Sequence, residues 1–81
     1  MIQIDDREIE YINYFIKLNF PFEIKRLLVG DVCLGRAVIE RKEKGDFVSS
    51  ILDGRLHEQI INMQNNFEKC CIVLLGDIWD I

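Results

Sequence analysis

Positions 70–75 read Cys-Cys-Ile-Val-Leu-Leu, six apolar residues in unbroken succession, and this run limits the possible folds most strongly. It has the length of a strand rather than a helix. A strand apolar on both pleat faces needs cover on both, so the run predicts a sheet with helices packed on each side. The helical segments are present. Ile9, Ile12 and Ile16 recur at helical spacing, with Tyr11, Phe15 and Leu18 on a flanking stripe. They predict a helix over 8–19, stopped by Phe20-Pro21. Leu56, Ile60, Met63 and Phe67 mark one face of another helix. Asp46 reads as the N-cap of a short helix over 47–52, which Asp53-Gly54 ends. Alternation or apolar spacing predicts strands over 1–5, 22–28, 31–34 and 37–41. The expected order is β-α-β-β-β-α-α-β, an α/β fold with a mixed sheet flanked by helices.

The chain has 81 residues, 49% of them hydrophobic, which suits one small domain with a real core over residues 1–81. A net charge of −4 argues against easy nucleic-acid binding by this domain alone; a second subunit or domain is expected to supply the grip. Cys33, Cys70 and Cys71 are odd in number and lack a C-x-x-C spacing. Each lies in a strand-like apolar run, so they read as buried free thiols in a reducing compartment. The sequence has no signal peptide or membrane-length apolar run, and the expectation is a soluble intracellular protein with no membrane partner.

Gly35-Arg36 can form a two-residue hairpin loop with glycine at the first central position. Residues whose numbers sum to 71 then face each other: Leu34 opposes Ala37 and Asp31 opposes Glu40. Facing carboxylates repel, so stability does not explain the pair, whereas a divalent cation turns it into a ligand set. Glu40 and Lys42, two apart, share the face of Asp31, while Arg41 points to the other and offers its carbonyl. Mg²⁺ or Mn²⁺ held by Asp31 and Glu40 would leave room for water and a phosphodiester, with Lys42 orienting the water or steadying phosphate charge. Read alone, Glu40 to Lys44 is a charge run that a solvated turn also explains; the opposed Asp31, the Glu-x-Lys spacing and Asp46 favour a site. Arg7 can reach a phosphate or pair with a nearby carboxylate. Arg55 and Gln59 share a helix face.

These residues resemble the XPF family of structure-specific DNA endonucleases. The family pattern G-D, a variable gap, then E-R-K-x-x-x-D is matched by Gly30-Asp31, Glu40-Arg41-Lys42 and Asp46. The opening D-x-R-E is matched by Asp5-Asp6-Arg7-Glu8, and a helical S-I-x-D-G-R-L-x-x-Q by the segment from Ser50 to Gln59. Gly76-Asp77 stands where the family has an apolar residue and glutamate. The resemblance implies a restriction-endonuclease-like core and Mg²⁺- or Mn²⁺-dependent cutting of branched DNA such as flaps and forks. It assigns catalysis to Asp31, Glu40, Arg41, Lys42 and Asp46 and the metal to Asp31 and Glu40. Asp5, Arg7, Arg55 and Gln59 become DNA-binding or site-supporting residues. The implied partners are branched DNA and a second nuclease subunit, in a homodimer or with a relative. The resemblance also implies a domain shorter at its C-terminal end than the family's and without its helix-hairpin-helix module. Two other readings stay open: a non-catalytic partner of an active nuclease, and a junction resolvase on the same core.

Overall fold

Two parallel crossovers organise the molecule, one at each end of a five-stranded mixed sheet of order β2-β1-β3-β4-β5. The structure is a computed structural model that describes residues 1–76; Asp77, Trp79 and Ile81, which figured in the sequence reading, lie outside the described residues. In chain order the elements are β1 (Ile2–Asp5), α1 (Ile9–Lys17), β2 (Phe22–Lys25), β3 (Val32–Leu34), β4 (Ala37–Glu43), α2 (Lys44–Leu52), α3 (Arg55–Asn66) and β5 (Lys69–Leu75). β1 pairs parallel with β2 through α1, and β4 pairs parallel with β5 through α2 and α3. The two antiparallel ladders between them leave β1 and β4 pointing the same way. Crossovers of the same right hand that run to opposite ends of a sheet cover opposite faces.

Two separate apolar clusters result. Ile4, Ile12 and Val32, with Phe15, Phe22 and Ile39 against them, fill the α1 face. Leu27, Cys33, Val38 and Met63, with Phe67 and Ile72, fill the α3 face. Alternation along β4 explains the split, since Ile39 goes to one side and Val38 to the other. Burying each such aliphatic side chain contributes roughly 1.5–3 kcal/mol.

The hairpin forms in the expected register, with Leu34 opposite Ala37, Cys33 opposite Val38 and Val32 opposite Ile39. Gly35 takes a φ of +58° at the first loop position, where a side chain would be strained.

Several boundaries differ from the sequence reading. β2 ends at Lys25 rather than continuing to 28, because the Leu27 N–H leaves the ladder for the Asp5 carboxylate. Asp46 does not cap α2. The helix starts at Lys44 with Glu43 as N-cap, which puts Asp46 in the first turn, where its negative charge still favours the N-terminus. β5 is an edge strand. Its first three residues, Cys70 and Cys71 among them, are exposed and its last four only half-buried, so of the three cysteines only Cys33 is buried. An unbroken apolar run shows that both pleat faces are apolar; it does not show whether another strand lies alongside. No helix among the described residues is long and apolar enough to cross a membrane.

Candidate active site

β1 and β4 end on the same side of the sheet and β3 begins there, and this convergence gathers the polar residues. Asp31 precedes β3 directly. Its N–H donates to the Ile39 carbonyl at 2.9 Å and its own carbonyl accepts from the Asp5 N–H at 2.8 Å. Gly30 permits the approach: its φ is +79°, and a Cβ there would lie 2.1 Å from Val38 Cγ2. Only glycine meets both conditions. Asp31 Oδ2 then accepts the Arg41 N–H at 2.7 Å, which fixes the carboxylate against β4.

Glu40 stands beside it. Burial, then the Asp31 charge, push the Glu40 carboxyl up from its ordinary 4.5 to about 7, while Lys42 opposes the rise. The two carboxyl groups are within reach of a shared proton. Lys42 is 7% exposed, and its ammonium donates to Gln59 Oε1 at 2.7 Å. Gln59 thereby holds the end of the Lys42 side chain from α3.

Glu8 was not singled out from the sequence as a site residue, yet it belongs to this group. Burial and the neighbouring Asp31 raise its pKa, and Arg41 on the same face pulls it back. The Arg41 guanidinium, on the α1 side as expected, reaches Glu8 Oε2 at 3.1 Å and lies 5.7 Å from the centre of the Tyr11 ring. A signal existed in the sequence: Glu8 is the last letter of the D-x-R-E match.

Asp5 is 1% exposed, and its oxygens are fully engaged. Oδ1 accepts from the Leu27 N–H at 2.8 Å and from Arg7 Nη2 at 3.0 Å, and Oδ2 accepts from Arg7 Nε at 2.7 Å and the Arg7 N–H at 3.1 Å. Arg7 also donates to the Leu27 carbonyl at 3.1 Å. The Arg7 side chain, first of these causes, holds the Asp5 carboxyl down at about 2. Asp5 thus clamps the chain beside the site, and Arg7 chooses the carboxylate of its two expected partners while keeping an exposed edge on the cleft.

The cleft encloses about 290 Å³, with Asp31 and Glu40 in its wall beside Arg7, Gln59 and Asn62. Two expected residues stand apart from it. Asp46 is exposed on α2 and does not line the cleft. Arg55 pairs with Asp53 at 2.7 Å and lines an adjoining groove along α3 with Gln59 and Asn62.

As for a metal, Asp31 sits between Glu8 and Glu40, but among the described residues no three His, Cys, Asp or Glu side chains converge as a ligand cage. The donor set is a carboxylate pair. Such a pair fits Mg²⁺, which takes one or two carboxylates and completes its shell with water and substrate phosphate, and it does not fit a metal that needs an all-protein cage.

Comparison with known proteins agrees with this architecture. Residues 4–80 match the ERCC4 domain family, and the chain belongs to it. The XPF protein of Aeropyrum pernix, solved in complex with DNA, superposes with a TM-score of 0.85 at 29% identity over 94% of this chain and 40% of that one. A second structure of Aeropyrum pernix XPF gives 0.84 at 29% identity, covering 94% of this chain and 37% of that one. A Methanocaldococcus jannaschii protein, provisionally named an ATP-dependent RNA helicase, is 45% identical over 56 residues, which are 68% of this chain and 7% of that protein. The chain thus spans well under half of each relative. The XPF-type nuclease fold expected from the motifs is the fold observed.

Proposed function

We propose that this domain is a Mg²⁺- or Mn²⁺-dependent endonuclease that hydrolyses phosphodiester bonds in branched DNA of flap or fork type. One observation carries the reading. Asp31 and Glu40 face each other in an open cleft at a cost in repulsion, beside a buried lysine that is held in place. A scaffold has no use for that arrangement, whereas phosphoryl transfer depends on it.

Asp31 and Glu40 would hold the cation, whose chemistry is to polarise the phosphodiester and make a water more acidic. Lys42, positioned by Gln59 beside Glu40, would steady charge building on the phosphate. Arg7, at the cleft rim, steers the phosphate backbone inward. The Arg41 backbone N–H fixes Asp31, and its guanidinium holds Glu8 ready on the other side of β4. The solved complex of Aeropyrum pernix XPF with DNA supports a DNA substrate.

Cleavage of labelled flap, fork and four-way-junction DNA with and without Mg²⁺ tests this. Flap or fork cutting that needs the cation, and that Asp31→Asn and Glu40→Gln both abolish, is the expected result. Preference for the four-way junction would make the domain a resolvase on the same core. Absence of cutting by the wild-type protein in its native assembly would make it a non-catalytic partner of an active nuclease.

A further inference from the structure

Leu27 and Leu28 are neighbours in the segment between β2 and β3, and they point opposite ways. Leu27 is buried in the α3-side core, whereas Leu28 is 95% exposed, the highest value among the large apolar side chains of the described residues. A single exposed leucine is ordinary. This one differs in three respects.

The segment that displays it is tied down. The Leu27 N–H and carbonyl are both bound by the Asp5–Arg7 clamp, the Lys25 carbonyl accepts from the Asp6 N–H at 3.1 Å, and Gly30 is seated against Val38. Leu28 is also where two clefts meet. One holds Asp31 and Glu40; the other, of about 410 Å³, runs past Lys25, Arg26 and Asn66. Finally, among the described residues the second cleft has no carboxylate in its lining, although the chain carries a net charge of −4. Arg26 pairs with Asp6 through two bonds, at 2.6 and 3.1 Å, so a phosphate would compete with that carboxylate for the guanidinium, while Lys25 lines the groove beside it.

We propose that Leu28 and this groove form a subsite for the unpaired strand of branched DNA. Leu28 packs on the face of the base next to the branch, and Lys25 and Arg26 hold that strand's phosphates. The ligand is single-stranded because paired bases hide their faces in the stack, whereas an unpaired base offers a flat apolar surface to a fixed side chain. The subsite rests on the nuclease reading above and adds to it the basis for recognising the branch.

The test is binding of the protein in its native assembly, at low salt in EDTA, to a fork with 2-aminopurine at the first unpaired position and to a plain duplex. Leu28→Ser is expected to weaken fork binding roughly tenfold, the scale of one lost base contact, and to remove the fluorescence response. Leu28→Phe should keep both. Because the side chain lies in solvent, the thermal midpoints of all three proteins should coincide. If Leu28→Ser binds the fork with wild-type affinity and response, the subsite is wrong and the nuclease reading stands. If the wild-type protein does not prefer the fork to the duplex, both are wrong.

Discussion

Lys42 donates to Gln59 Oε1 at 2.7 Å and so ties β4 to α3 behind the cleft. Gln59→Leu keeps the volume and removes the acceptor, leaving a buried ammonium without it. The expected loss of stability is about 1–3 kcal/mol, read from urea unfolding. An unchanged midpoint would show that the ammonium finds water or Glu40 instead.

Asp5 should carry much of the acid sensitivity of the fold. Its carboxyl is held at about 2 against an ordinary 3.8, so the stabilisation is complete above 3.8 and disappears as pH falls through about 2. The shift corresponds to roughly 2 kcal/mol. Asp5→Ala should cost at least that at pH 7, since the Leu27 N–H also loses its acceptor. Parallel acid titrations of the wild type and this variant, followed by circular dichroism, check the slope.

Glu40 should act in the opposite sense. Its folded-state pKa of about 7 lies above its ordinary 4.5, so the associated stability is complete below 4.5 and disappears as pH rises towards 7. Without divalent cations the wild type should unfold more easily at pH 8 than at pH 5. Glu40→Gln should flatten that dependence and be the more stable protein at pH 8. A steeper loss in the variant would place the raised carboxyl elsewhere.

Gly30→Ala should destabilise by about 2–4 kcal/mol, the sum of a left-handed backbone penalty and an overpacked contact with Val38. Val38→Ala carries its own core-truncation cost, so the contact is read from a double-mutant cycle of thermal melts: the penalty of Gly30→Ala should be smaller in the Val38→Ala background than in the wild type. No residual penalty in that background would mean that the backbone at position 30 relaxes freely.

A dimer is expected, because the exposed apolar side chains are too many for a self-contained surface. Ile9, Ile16 and Phe20 lie exposed along and just beyond α1, and β5 presents its edge. Sedimentation over a wide concentration range should show self-association; a strict monomer throughout would reject it.

Local chemistry in the sequence predicted much of this architecture. Gly35-Arg36 set the hairpin register, which holds to Val32 opposite Ile39 and puts Glu40 and Lys42 on one face; Asp31 lies just before β3, where its bonds to the Ile39 carbonyl and the Arg41 N–H bring it beside Glu40. The contacts that position them were harder to read because they join residues distant in the chain. Asp5 reaches Leu27, Lys42 reaches Gln59 and Arg41 reaches Glu8, and no period or spacing encodes such pairings. The edge position of β5 was hidden for a related reason, since apolarity records how a strand is faced and not what lies beside it.

The division of the core between the two sheet faces has a genetic consequence. Glu40 and Lys42 rest on the side packed by α3, while Glu8 and Arg41 rest on the side packed by α1. The backbone of the sheet and the Asp31 carboxylate, which bears on both Glu8 and Glu40, join the two. Inactivating substitutions in the interior should therefore fall into two groups. Those around Met63 would displace the lysine and its carboxylate, and those around Ile12 would displace the arginine and its glutamate. Defects within a group should mask one another, and defects from different groups should compound.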